Sequence, residues 1–340
     1  MASVADALRG GAPARRAPVV PGEVDEGVGV VDASLRSRTA RAARTALRRM
    51  EPVVVLAPRW GALPAFLEEL ALDLALGEPA IGCRTVDLRP LAGRPAVEAW
   101  QYLLQFVGLL GHRGWAPPTP VMVADRRGFR WAVEQVLQQA HEEAPHPVAL
   151  LAHGAEALSV ELLEDLSAGW DAYRQRHPEH RRCALLLGAA DSAAWLRIGD
   201  APRLHLADFG LTEAAAAIVA AAGPLPMREL ERCSQALGGV PGLVEVVGRE
   251  ARRAGRLPAE GPALWEALGP LQAELRGAVD IVAAHDGLAG RLQALCAGAA
   301  LPPVDALDRP LMLAGLARSV RVGGLARTSL RAPLFAGLLG

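Results

Sequence analysis

The chain of 340 residues contains no lysine and no asparagine. All 36 of its basic residues are therefore arginine. A Walker A lysine, a Schiff-base lysine and a lysine general base are all excluded, and so is N-glycosylation. Aromatic residues make up only 4%, so the core must come mainly from Leu, Val and Ala. The formal net charge is -1, which gives no bulk pull toward nucleic acid or membrane. Cys83, Cys183, Cys233 and Cys296 lie far apart, with no CxxC or zinc spacing. They read as reduced, buried thiols of a cytoplasmic protein. No apolar run approaches the roughly 18 residues of a membrane span, and no signal-peptide core is visible near the N-terminus.

What is present is a folding composition. Hydrophobic residues make up 51% and charged residues 21%, in a length that fits two or three modules. Residues 1–33 lack sustained periodicity and read as a disordered tail. Ser34 opens a helical run in which Leu35, Ala42, Ala43, Ala46 and Leu47 form an apolar stripe. Arg36, Arg38, Arg41, Arg44, Arg48 and Arg49 add positive charge that nothing within the segment opposes. The alternatives are a solvated helix packed on the next domain and a contact with nucleic acid or an acidic partner.

Short Val- and Leu-rich runs then alternate with helical patterns. The predicted strands are PVVVLAP from Pro52, one around 83–89 in CRTVDLRPL, PVALLAHG from Pro147, CALLLGA at 183–189 and RLHLADF at 203–209. Helices are predicted after Pro64, at about 95–111, 128–143 and 161–177. This order implies an α/β domain with a parallel sheet. Ligands in such sheets bind at the carboxyl ends of the strands, here Ala57–Pro64, Ala152–Glu156 and Gly188–Ser192. After Phe209 the pattern turns helical, with Thr212 as expected N-cap and a long helical stretch at 262–298. SVRV and LARTSL flank Gly323-Gly324, a hairpin signal that reads as the wing of a winged helix.

This succession resembles the P-loop ATPases of the AAA+/STAND group. VVVLAPRWGALPAFLEELALDL stands where a P-loop and its helix would stand, PVALLAHGAEAL at the Walker B strand and CALLLGAADS at the sensor strand. QALGGVPGLVEVV is similar to the start of a lid helix, and LMLAGLARSVRVGGLARTSLRAPLF to a winged-helix end. The resemblance implies a P-loop NTPase-like α/β domain at 34–210, a helical lid at 211–275 and a winged-helix-like domain at 276–340.

The residues that carry P-loop chemistry are missing. A P-loop needs GxxxxGK[ST], with glycines for close backbone approach, lysine on the phosphates and a hydroxyl on magnesium. Aligned on Ala57, Pro58, Arg59, Trp60, Gly61, Ala62, Leu63 and Pro64, this chain has alanine at both glycines. Leu63 replaces the lysine and Pro64 the hydroxyl. At Walker B, Ala152 and His153 stand where acids should, and Glu156 comes three residues later. Gly188–Ala190 replaces the polar sensor. The implied reading is a pseudo-ATPase that binds no nucleotide at this segment.

Other chemistry is sparse. His177 and His180 flank Pro178 among arginines and read as a solvated loop rather than a metal site. His153 is a candidate acid–base group, with a packed structural role as the alternative. No metal and no cofactor is expected. The expected interaction surface comprises Arg36, Arg41, Arg44 and Arg48 with the wing residues Arg318, Arg321, Arg327 and Arg331. The leading expectation is a cytoplasmic scaffold or regulatory subunit, with protein partners or copies of itself, in a bacterial defence or signalling system. A second reading is a winged-helix nucleic-acid-binding protein of origin-recognition or transposition-ATPase type. A third is an unorthodox nucleotide-binding ATPase with Arg59 in place of lysine. No membrane partner is expected.

Overall fold

The computed structural model describes residues 35–111, 123, 125–193, 196–258, 261–298 and 300–338. The expected tail at 1–33, Ser34 and the Pro-rich stretch 115–120 lie outside the described residues. The chain divides into two compact units. One holds Ser37–Ala57 and Ala62–Leu206; the other holds Pro58–Gly61 and Ala207–Gly340, together with the chain up to Arg36.

The first unit is an α/β layer structure. Its sheet contains β1 (Val53–Ala57), β2 (Gly82–Asp87), β3 (Val148–His153), β4 (Cys183–Ala190) and β5 (Arg203–His205). The strands are all parallel, in the order β2-β3-β4-β1-β5. Every residue of β1 is buried, as a strand covered on both faces requires. Alternation divides it between two cores. Val54 and Leu56 face α3 (Ala96–Gly108), α4 (Arg126–Glu143) and α5 (Val160–Arg176). Val53, Val55 and Ala57 face α1 (Leu35–Arg48) and α2 (Leu63–Ala75).

Local chemistry explains the boundaries. Asp125 caps α4 by accepting the Gly128 N–H at 2.7 Å, and Ser159 caps α5 through the Leu162 N–H at 3.3 Å. Three expectations are corrected. β2 ends at Asp87, because Arg89–Leu91, containing Pro90, turns as a 3₁₀ helix. β5 ends at His205, two residues before the chain enters the other unit. Ala42 is exposed, so the buried stripe of α1 is Ala43, Ala46 and Leu47.

The two long helices on one face are joined by charge and by close approach. Buried Asp165 of α5 accepts from Arg126 Nε at 2.8 Å and Arg130 Nε at 2.7 Å. One turn further, Gly169 lets the backbones meet. A Cβ there would lie 2.8 Å from the Arg130 carbonyl oxygen and 2.8 Å from Val133 Cβ.

The second unit is helical, with a terminal hairpin. It contains α6 (Leu211–Ala222), α7 (Met227–Leu237), α8 (Pro241–Ala254), α9 (Gly261–Ala267), α10 (Gly269–Ala283), α11 (Asp286–Cys296) and α12 (Asp305–Leu313). Strands β6 (Ala317–Val322) and β7 (Leu325–Leu330) pair antiparallel across Gly323-Gly324. Both of these glycines take positive φ, which suits a tight hairpin turn. Gly210, not Thr212, is the N-cap of α6, with the Glu213 carboxylate reaching back to its N–H at 2.9 Å. The expected single helix at 262–298 is broken at Leu268 and at Ala284–His285, because Pro270 opens a new helix and Asp286 starts another. Inside this unit, buried Asp308 ties α12 to α11 and β7 through Arg291 Nε at 2.7 Å and the Thr328 hydroxyl at 2.7 Å.

Gly169→Ala should push α4 and α5 apart and lower stability by about 1–3 kcal/mol, as overpacking does. A urea titration of the intact chain checks this; unchanged stability would mean the helices are not in backbone contact there.

Candidate functional site

Each unit carries a polar cluster close to the segments singled out in the sequence. In the α/β unit it lies at the carboxyl ends of the strands. Asp87 ends β2 and His153 ends β3, and register places the two side by side. Asp87 Oδ1 lies 3.5 Å from His153 Nδ1. Arg89 grips the same carboxylate, with Nε at 2.9 Å from Oδ1 and Nη2 at 2.7 Å from Oδ2. The hydrogen bonds from Arg89 hold Asp87 below the usual carboxylate range, although burial opposes them. Burial pushes His153 below the ordinary histidine value, with Asp87 pulling the other way.

Glu156, the acid that follows the Walker B strand in sequence, has a backbone partner. Its carboxylate accepts the Ala190 N–H at 3.1 Å, joining the turn after β3 to the end of β4. Ala152 is buried in the sheet. At the start of α2, Leu63 lies against β4. A Cβ on Gly188 would be 2.9 Å from Leu63 Cδ2. The chemistry available at this edge is therefore one oriented His–Asp pair beside a guanidinium, with apolar Leu63 next to it. Among the described residues no group of three or more His, Cys, Asp or Glu side chains forms a metal ligand set.

In the helical unit the cluster surrounds the turn that follows β1, Pro58–Gly61. The Gly61 N–H bonds the Pro58 carbonyl at 2.8 Å and closes the turn. Trp60 takes φ 59°, a left-handed conformation that is costly for a bulky residue. Donors from this unit meet three successive carbonyls of the turn. Arg331 Nη1 donates to the Arg59 oxygen. The Gly242 N–H donates to the Trp60 oxygen at 2.8 Å. Arg36 Nη1 donates to the Gly61 oxygen at 3.0 Å. The side chains are tied down as well. Trp60 Nε1 reaches Glu274 at 3.1 Å and its ring lies 6.0 Å from that of Phe335. Arg59 stacks over Trp60 and lies 3.9 Å from Glu274.

Arg331 is the centre of this cluster. It is 1% exposed, and its Nε and Nη2 clasp Asp208 at 2.9 and 2.6 Å. The GGVPGL stretch makes room for it. A side chain on Gly238 would strike the Arg331 carbonyl, and one on Gly239 would strike the Phe209 carbonyl. Both glycines also take positive φ. Nothing in the sequence marks Asp208 as the partner of Arg331, because the two are 123 residues apart.

The expected arginine surface is therefore corrected. Arg36 and Arg331 are buried and point inward, because their guanidiniums satisfy turn carbonyls and Asp208. Half-buried Arg318 donates to the Gly238 oxygen at 3.2 Å. Arg44 pairs with Asp73 of α2. Arg41 and Arg48 are exposed, and Arg321 and Arg327 are half-exposed. The thiols are free, but Cys83 and Cys296 are only partly buried, against expectation. Burial pushes Cys83 up to about 11 and Cys183 and Cys233 up to about 12, which leaves none as a thiolate near neutral pH.

A further titrating cluster sits between α4 and α5. The Tyr173 oxygen accepts N–H bonds from Arg182 at 3.1 Å and Cys183 at 3.3 Å. Its hydroxyl proton is then free to go to His141 Nδ1 at 3.0 Å. His177 stacks on His141 with ring centroids 4.2 Å apart and bonds Gln138. Burial pushes His141 below the ordinary histidine value. His177, Arg182 and His180 add to that, and Glu142 opposes it.

Two outcomes follow from this geometry. Arg331→Met should cost about 3–5 kcal/mol, because it leaves Asp208 and the Arg59 carbonyl without their donor; Arg331→Met/Asp208→Leu should recover part of the loss. Urea unfolding of both variants reads this, and equal stability of Arg331→Met and the parent would remove the lock. The second outcome concerns pH. His141 is depressed on folding, so the unfolded chain binds more protons below the ordinary value of about 6.5. Its contribution is present above that pH and is lost as pH falls below it. His141→Gln should flatten the fall in stability between pH 7 and 5.

No known protein family matches the sequence, and no curated protein matches it either. Solved structures do. The chain is similar to the Walker-type ATPase of Pyrococcus abyssi at 16% identity and a TM-score of 0.60, over 89% of this chain and 95% of that one. It is similar to Cdc6p from Pyrobaculum aerophilum at 12% identity and a TM-score of 0.49, over 93% and 96%. It is similar to the RuvB Holliday junction branch migration motor of Thermotoga maritima at 15% identity and a TM-score of 0.43, over 87% and 91%. At such identities the likeness is one of fold, and the fold is that of the P-loop ATPases.

Proposed function

We propose that this chain keeps the P-loop ATPase fold without hydrolysing nucleotide, and serves as a cytoplasmic protein-interaction scaffold or regulatory subunit. The observation that carries this reading is the state of the segment Ala57–Pro64. In P-loop ATPases the corresponding backbone N–H groups close around phosphates and a lysine neutralises them. Here the Gly61 N–H is spent on Pro58, and Pro64 has no N–H to offer. Leu63 lies on Gly188 as apolar bulk, and the chain has no lysine. A polyphosphate brought there would lose hydration without gaining donors.

The acids support the same reading. Glu156 is engaged with the Ala190 N–H, and His153 and Asp87 hold each other. Magnesium held by a P-loop hydroxyl and a Walker B acid has no matching pair in these residues, so we derive no hydrolytic step. Arg59 as a lysine substitute is disfavoured by its stacking on Trp60 beside Glu274. We read 211–275 as the lid and 276–340 as the winged-helix-like part, with faces for a protein partner or for further copies of the chain. Among the described residues no helix is long and apolar enough to cross a membrane.

Calorimetric titration with ATP and ADP, with and without magnesium, tests the proposal. We expect no heat and no thermal shift at millimolar nucleotide, since a ligand of the folded state alone must stabilise it. Micromolar binding abolished by Arg59→Ala would overturn the reading in favour of an unorthodox ATPase.

A further inference from the structure

A dense cluster of exposed positive charge in the helical unit lies outside the expected arginine surface, at the carboxyl end of α8. Residues 249–256 read REARRAGR, four arginines against Glu250 alone. Arg249, Arg252, Arg253 and Arg256 are all exposed. Arg249, Arg252 and Arg253 stand at i, i+3 and i+4, which puts them on one helix face. Arg256 follows the left-handed Gly255 that ends the helix. The opposite face is fixed. Val244, Val247 and Ala251 are buried, and a Cβ on Gly248 would lie 2.9 Å from Ala221 Cβ of α6. The arginines therefore point away from the body of their unit.

Among the described residues only Arg253 of these four has an acidic partner, Glu250 at 3.2 Å, and its side chain is still 81% exposed. Arg249, Arg252 and Arg256 make no ion pair among the described residues. Basic residues at a helix carboxyl end complement the helix dipole, but that effect fades within the last turn. It does not account for Arg249, which lies more than a turn from the end, or for Arg256 beyond the helix.

Partner chemistry follows from what accompanies the charge. Protein interfaces are anchored by apolar or aromatic side chains at their centre. The exposed large apolar residues of this unit are Leu211, Met227, Val304, Val322 and Leu325, and none is on α8. A row of guanidiniums without an apolar anchor suits a polyanion held by charge alone. Arg249 and Arg253 are about 6 Å apart along the axis, which is one turn. That is within reach of successive phosphates on one strand. We infer that the α8 arginines form a sequence-independent contact for the phosphate backbone of nucleic acid. This surface is separate from the hairpin arginines, and the inference holds whether or not the chain binds nucleotide.

Fluorescence anisotropy of labelled single- and double-stranded 20-mers against the full chain tests this, from about 50 to 200 mM salt. Each arginine that neutralises a phosphate contributes about -0.9 to the slope of log affinity against log salt on duplex. Three contacts predict a slope near -3 on duplex for the parent chain. The variant Arg249→Gln/Arg252→Gln/Arg256→Gln changes only exposed side chains, and should lose at least tenfold in affinity at low salt and most of the slope. Arg321→Gln/Arg327→Gln should keep both. No binding at low salt, equal binding by the α8 variant, or loss confined to the hairpin variant would each overturn the inference. Tighter binding of poly-glutamate than of either oligonucleotide would overturn it in favour of an acidic protein.

Discussion

One buried guanidinium organises the helical unit. Arg331 is almost without solvent, so each of its donors must find an oxygen, and Asp208 and the Arg59 carbonyl supply them. That demand fixes three stretches of chain far apart in sequence: the turn after β1, the segment entering α6 and the residues after β7. Gly238 and Gly239 suit this place on two counts: two of those stretches pass too close for a side chain, and both residues take positive φ. The interaction is costly to assemble, since both charges are desolvated, and costly to break once assembled. It therefore specifies one arrangement of the turn.

That arrangement bears on function through polarity. A turn that receives phosphate must leave its N–H groups open. In this turn the carbonyls are met by Arg331, Gly242 and Arg36, and the Gly61 N–H is used internally. Within the α/β unit, the carboxyl edge of the sheet is also engaged with itself. Asp87 serves His153 and Arg89, and Glu156 serves a backbone amide. Both segments are thus engaged in internal hydrogen bonds.

The same side chain does two different jobs in this chain, because arginine is its only cation. Buried, as at Arg331 and Arg36, the planar fork satisfies several oxygens at once. Exposed on α8, Arg249 and Arg252 have no ion pair among the described residues and leave their charge to solvent or a partner. Composition gives no means of telling these apart. The Arg36 expected on a solvated helix and the Arg331 expected on a wing are both interior residues.

The sequence by itself determined the α/β class, the approximate strand positions, the hairpin and the absence of any lysine. These are local properties: burial on two faces makes continuous apolar runs, Gly-Gly allows a tight turn, and a missing lysine is missing in any fold. Element ends were less legible, as after Asp87, where the chain leaves the sheet for the 3₁₀ turn Arg89–Leu91. The tertiary structure alone decided which arginines are buried, which acid each one meets, and that Glu156 caps Ala190. The Glu156–Ala190, Arg331–Asp208 and Arg331–Arg59 pairings join residues 34, 123 and 272 positions apart. No periodicity or spacing encodes them, because they depend on how the chain returns to itself and on which charges lose their water when it does.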